Sequence, residues 1–209
     1  MLSTKPSTKS SNKPATRLSI SSGWLEPIKA LVQHMPSPFF SPRACDEKIS
    51  LLVLHNISLP AGFFGGHCIS DLFLGQLDCN ADSSFHDLKG VKVSAHCLIR
   101  RNGSIIQYVS FFDKAWHAGL SSFKQRDSCN DYSIGIELEG TDDIPYTSDQ
   151  YHQLIALTLC LQIKFPDIIM GNIVGHCDIA PMRKTDPGHI FDWQYFRQNL
   201  TGQTRRKNT

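Results

Sequence analysis

No apolar run in this chain approaches the roughly 20 residues that a bilayer-spanning helix needs, so a transmembrane helix is not expected. The first twenty residues contain no Asp or Glu, and no apolar core follows Lys5, Lys9, Lys13 and Arg17. A Sec-type signal peptide requires that core. Pro6, Pro14 and the scarcity of large apolar residues also spoil an amphipathic transit helix, which leaves a disordered basic tail over 1–20. Paired CxxC spacing is missing too, and the seven cysteines (Cys45, Cys68, Cys79, Cys97, Cys129, Cys160, Cys177) are an odd number. Reduced thiols in a cytoplasm fit that pattern, with Cys97 and Cys160 filling core. Neither an internal repeat nor a linker interrupts the 209 residues, so one domain over 21–201 is expected, followed by a basic tail over 202–209.

The formal charge of +2 misleads, because seven of the 21 bases lie in the two tails (the four named above, with Arg205, Arg206 and Lys207), where no acid occurs. The body between them is therefore acidic on balance against its 19 carboxylates. That argues against a nucleic-acid-binding face.

The elements are readable from pattern. Gly23 to Val32 carries Trp24, Leu25, Ile28, Leu31 and Val32, which predicts a short helix with Pro27 near its start. Pro36, Pro38 and Pro42 then enforce an extended crossing. Ile49 to Asn56 is a β-rich apolar run suited to a strand buried on both faces. Leu59 to Gly90 is a long connection with little regular pattern, the kind of loop that shapes a groove. Val93 to Arg100 and Ser104 to Val109 flank an Asn102-Gly103 pair and predict a hairpin in which both residues adopt φ > 0. Ser133 to Glu139 alternates, with Glu137 and Glu139 on one face. Thr147 and Gln150 form a capping box that launches a helix ended by Pro166. A short strand, Ile173-Val174, and a helix from Asp192 to Leu200 complete an α/β (α+β) domain with a central mixed sheet and flanking helices.

Chemistry concentrates in Gly175-His176-Cys177-Asp178-Ile179-Ala180-Pro181-Met182-Arg183-Lys184-Thr185-Asp186-Pro187-Gly188. His, Lys and Asp held between Pro and Gly in a loop are either solvated or coordinating, and the density favours coordination. Of the nine histidines, His34, His67, His86, His152 and His189 stand in polar surroundings where solvation is the default. His96 sits within a strand, as a buried hydrogen-bonded imidazole would, and His117 stands in a small-residue segment suited to bordering a groove. His55 and His176 each stand where a strand gives way to a loop, so both can reach one sheet edge, the edge at which open α/β sheets collect ligands. Asp186 can return as a third ligand. Two histidines and a carboxylate leave zinc a fourth position for water, as in a catalytic site, although cobalt or manganese accept the same donors.

Five blocks then resemble one family: His55-Asn56-Ile57-Ser58, Val93 to Arg100, Ala115-Trp116-His117-Ala118-Gly119, Ser133 to Gly140, and His176 to Gly188. Together they are similar to the AmpD-type N-acetylmuramoyl-L-alanine amidases, of the amidase type 2 group that shares its fold with peptidoglycan recognition proteins. The likeness runs from about Gly23 to Arg197. It implies one Zn2+ per chain on His55, His176 and Asp186, with Glu137 and Lys184 in the chemistry. Glu139, on the same strand face, competes for the base, and the Ile-Glu-Leu-Glu register favours Glu137. The resemblance further places Asn56 and Trp116 beside the substrate and basic side chains, here Lys92 and Arg126, on the stem peptide. Lys92 and Ser128 stand where relatives carry Arg, and a lysine lacks arginine's bidentate grip on a carboxylate.

The implied activity is hydrolysis of the amide between (1,6-anhydro-)N-acetylmuramic acid and L-alanine by a monomer, in cytoplasmic peptidoglycan recycling. Where β-lactamase is inducible, this would lower the inducing muropeptides. A small-molecule muropeptide is the expected partner, with no nucleic acid and no membrane. Two rivals stand beside it: a non-catalytic muropeptide-binding module, expected to lose a ligand or the acid, and a lytic amidase of intact wall, expected to carry an export signal or wall-binding domain.

Overall fold

A computed structural model describes residues 17–206. Most of the expected N-terminal tail, residues 1–16, lies outside the described residues. The tail ends sooner than expected, because Leu18 is buried in the core and Ile20 already pairs with Leu25.

Six strands form the central sheet: Val32–His34 (β1), Leu51–Ile57 (β2), Cys97–Ile99 (β3), Ile105–Gln107 (β4), Ser133–Glu139 (β5) and Ile173–Gly175 (β6). Their order is β6-β2-β5-β3-β4-β1. All neighbours are parallel except the β3–β4 hairpin. This is the mixed sheet that the alternation of strand and helix patterns predicted. The long central pair, β2 and β5, is apolar over most of one face: Leu52, Leu54, Ile134, Ile136 and Leu138 pack under two helices, Ser148–Lys164 (α2) and Trp193–Arg206 (α4). Period-2 alternation sends the intervening residues to the other face, where Leu51 and Val53 meet Ala118, Tyr132 and Ile179. That second face is covered by irregular segments, by Cys68–Leu74 (α1) and by the one-turn helix His176–Ile179 (α3).

The capping box is present as predicted: Thr147 Oγ1 accepts from Gln150 N at 3.1 Å, and Gln150 Oε1 accepts from Thr147 N at 3.1 Å. Four expectations are corrected. Gly23 to Val32 is no helix but a tight hairpin, Ile20–Ser21 with Trp24–Leu25, followed by a bridge from Ile28 to Val32. The buried Gln107 amide decides this, because its Oε1 accepts from Leu25 N at 2.7 Å and its Nε2 donates to Gly23 O at 3.0 Å, satisfying an extended backbone. The long connection after Leu59 is not patternless, since it holds α1, whose Ile69, Leu72 and Phe73 are buried; two turns are too few for periodicity to register. Gly75, left-handed at φ +71°, closes that helix. In the β3–β4 hairpin only Gly103 takes φ > 0, at +82°, while Asn102 Oδ1 accepts from Ser104 N at 3.0 Å. The turn is thus a longer loop with one left-handed residue rather than the two-residue form. Finally, α4 runs on to Arg206, into the segment expected as a tail.

Candidate metal centre and active site

The sheet register brings the first two site residues together. His55 on β2 pairs with Glu137 on β5, so both side chains rise from the same face of adjacent parallel strands. His176 is the first residue of α3, delivered by β6 on the other side of β2. Asp186 returns because Cys177 N donates to Asp186 O at 3.0 Å and Tyr146 Oη donates to Pro187 O at 2.7 Å. Gly175 makes room for this return, since a Cβ there would lie 2.7 Å from Pro187 Cδ.

The three predicted ligands converge. His55 Nδ1 lies 3.0 Å from His176 Nδ1 and 3.0 Å from Asp186 Oδ2, and His176 Nδ1 is 3.1 Å from the same oxygen. Both imidazoles are almost fully buried, and the Asp186 side chain is 13 % exposed. Among the described residues this is the group of His, Cys, Asp and Glu drawn close enough to hold a metal. Its proton balance supports a cation. His176 Nε2 faces Ala118 O at 3.2 Å, and a carbonyl only accepts, so the proton of a neutral ring sits on Nε2 and Nδ1 presents a lone pair. That lone pair meets a second imidazole nitrogen and a carboxylate oxygen. Bonds of about 2.0–2.1 Å to a tetrahedral ion separate its ligand atoms by roughly 3.3 Å, close to the spacing found. The residues therefore fit a divalent metal bound by two nitrogens and one oxygen.

Burial governs the charges around this centre. It pushes His55 down to about 4, so the ring is neutral near pH 7. Glu137 goes the other way: desolvation, with the nearby Asp186 charge, raises it well above an ordinary carboxyl, against a smaller pull from Lys184. Its Oε2 is buried with no hydrogen-bond partner, an expensive condition that a proton acceptor waiting for substrate would have. Glu139 is in a different condition, since its Oε1 accepts from Gly65 N at 2.6 Å and its Oε2 from Arg101 N at 3.0 Å, with Arg100 Nη1 3.5 Å away.

The N-acetylmuramoyl-L-alanine amidase family matches residues 45–189, a span that contains His55, Glu137, His176, Lys184 and Asp186. The chain belongs to that family. It is 53 % identical over 187 residues to the 1,6-anhydro-N-acetylmuramyl-L-alanine amidase AmpD of Citrobacter freundii, covering 90 % of this chain and 97 % of the relative. The AmpD of Escherichia coli is 53 % identical over 182 residues, 87 % of this chain and 97 % of the relative. A crystal structure of a selenomethionine AmpD derivative superposes with a TM-score of 0.82 at 54 % identity, over 87 % of this chain and 98 % of that one. The amidase AmiD of Escherichia coli, solved with the substrate anhydro-N-acetylmuramic acid-L-Ala-D-gamma-Glu-L-Lys, gives a TM-score of 0.53 at 28 % identity, over 87 % of this chain and 65 % of that one. The chain is thus an amidase of this type 2 fold, and the expected hydrolase class stands.

In this amidase the remaining predicted residues face solvent or have partners of their own. Lys184 is exposed, two residues before Asp186, and its charge acts on both His55 and Glu137. Asn56, the residue after His55, donates from Nδ2 to Asp142 Oδ1 at 2.8 Å. Trp116 donates from Nε1 to Ser41 Oγ at 3.1 Å and stacks on Phe39 with ring centroids 6.2 Å apart. Lys92 is exposed. Arg126 is exposed as well, but its guanidinium is engaged by Glu47 at 2.6 Å and lies 4.0 Å over the Tyr132 ring.

Sequence reasoning missed the residues that hold the ligands in place. His117 Nδ1 lies 2.9 Å from His55 Nε2, and Asn130 Oδ1 accepts from the backbone N–H groups of His117 and Ala118 at 3.2 and 2.8 Å. The one signal for this was Gly135, since a glycine inside a strand marks a close approach. A Cβ there would sit 2.4 Å from His117 Cγ. His96, expected as a buried hydrogen-bonded ring, is one: Gly135 N donates to its Nδ1 at 3.0 Å. Of the rings given solvation by default, His34 is instead half-buried, with Nε2 2.8 Å from Leu25 O.

Proposed function

We propose that this chain is a zinc-dependent hydrolase of the amide between (1,6-anhydro-)N-acetylmuramic acid and the L-alanine of the stem peptide, acting as a monomer in cytoplasmic peptidoglycan recycling. The observation that carries the reading is the convergence of His55, His176 and Asp186 beside an unpartnered Glu137 oxygen, in a chain half identical to relatives named for this activity. The cytoplasm is supported by seven cysteines, none of them in a disulfide. No helix among the described residues is long and apolar enough to cross a membrane.

Zinc bound by the three ligands would supply Lewis acidity and a water acidified toward pKa of about 7. The side chains around it divide the remaining work. Glu137, made a strong base for a carboxylate by burial, takes the proton of the attacking water at Oε2 and returns it to the leaving amide nitrogen. Lys184 sets a fixed positive charge beside the carbonyl oxygen as that oxygen becomes anionic. Glu139 is excluded from the base role by its backbone partners. On the substrate side, Asn56 and Trp116 border the sugar and first residue, while Lys92 and Arg126 meet the carboxylates of the stem. For Arg126 this means exchanging Glu47 for the substrate.

The test is mass spectrometry of products from an anhydromuramoyl tripeptide incubated with the purified protein, a chelated sample, and a chelated sample given zinc back. Free tripeptide that disappears on chelation and returns with zinc is the expected result. Intact substrate in the zinc-loaded sample would overturn the reading.

A further inference from the structure

The two imidazole ligands lean on one short segment. Ala118 O faces His176 Nε2 at 3.2 Å, and His117 Nδ1 faces His55 Nε2 at 2.9 Å. Beyond it, His117 Nε2 lies 3.1 Å from Ser133 Oγ. The segment is itself held, by Asn130 Oδ1 on two successive backbone N–H groups and by Arg183 Nη2, which donates to Ala118 O at 2.9 Å. His117 stands across from β5 in space that exists because residue 135 has no side chain.

We propose that His117 is a positioning residue that selects the metal-binding tautomer of His55. This rests on the metal reading above. His55 can offer Nδ1 to a cation only if its proton is on Nε2. A proton there needs an acceptor, and the group within reach is His117 Nδ1. His117 must then carry its own proton on Nε2, where the Ser133 hydroxyl oxygen accepts it. The chain of donors runs outward from the metal: His55 to His117 to Ser133. Run the other way, with Ser133 donating to His117 and His117 to His55, it would put a proton on His55 Nδ1 and close the site. Neighbours that orient a ligating ring and fix its tautomer are worth about 10- to 100-fold in metal affinity when lost. An uncharged histidine fills that role here, where a carboxylate or carbonyl is commoner.

The experiment measures zinc affinity by chelator competition for wild type, His117→Phe and His117→Asn, with melting of each metal-free protein alongside. Phenylalanine keeps the ring and removes the acceptor, whereas asparagine places an oxygen near the position of Nδ1. The expected result is a 10- to 100-fold loss for His117→Phe, recovered in large part by His117→Asn, with the two metal-free proteins melting alike. Equal zinc affinity in wild type and His117→Phe, or equal losses in both variants, would overturn the inference while leaving the metal reading intact. Wild type that binds no zinc would overturn the metal reading itself. Independently of whether the variants fold, long-range proton–nitrogen correlation spectra of zinc-loaded wild type should show His55 and His117 both protonated on Nε2. A proton on Nδ1 of His117 would overturn the proposal.

Discussion

Glu137 lies directly across from His55 on the neighbouring parallel strand, and its Oε2 is a buried side-chain oxygen with no partner. One of the three converging donors and an unsatisfied carboxylate are thus set side by side by sheet register alone. The arrangement costs stability.

Glu137→Gln separates that cost from the proposed role as base. Removing a general base typically costs on the order of 10²- to 10⁴-fold in kcat, and zinc content should not change. The sign for stability follows from the raised folded-state value. A carboxyl whose folded pKa lies above its unfolded one opposes folding at pH above both, and the protein gains stability as pH falls through the folded value. The metal-free variant should therefore melt higher than wild type at pH 7, by a few degrees for about 1 kcal/mol, as calorimetry would show.

Glu139→Gln is the contrasting case. Its oxygens accept from two backbone N–H groups of separate loops, so the change weakens charge-assisted bonds that tie Gly65 and Arg101 to β5. A loss of roughly 1–3 kcal/mol in denaturant unfolding is expected. The kcat should stay within about tenfold of wild type, far above that of a general-base variant.

Metal removal should lower the melting temperature, and zinc should restore it. A ligand at 1,000 times its dissociation constant adds about 4 kcal/mol to the folded state. Asp186→Ala should bind zinc substoichiometrically by elemental analysis and show no such restoration. A variant that still binds one zinc tightly would remove Asp186 from the ligand set.

Gly135→Ala places a methyl 2.4 Å from His117 Cγ, inside a strand that is buried along its whole length. Overpacking of this kind costs about 1–3 kcal/mol. Zinc affinity should fall with it, which a chelator titration would register, because the displaced ring is the one that faces His55.

Local pattern, by itself, determined a good deal of this protein. The two central strands, the capping box at Thr147, the hairpin around Gly103 and the three side chains that converge at the sheet edge were all legible, because each depends on short-range periodicity, on a turn residue, or on a family motif preserved in order. What local pattern misjudged were segments whose conformation answers to distant partners. The segment around Trp24 became strand rather than helix because Gln107, far along the chain, satisfies Leu25 N and Gly23 O. Two carboxylates on one strand face looked alike until the loops at Gly65 and Arg101 closed on Glu139 and left Glu137 unpartnered. His117 looked like a groove residue because a hydrogen bond to His55 across 62 positions leaves no trace in either neighbourhood. The sequence determined which groups are present and which strands carry them. Only the tertiary structure decided which of them are satisfied, since burial and hydrogen-bond partnership belong to pairs of segments and not to any one of them.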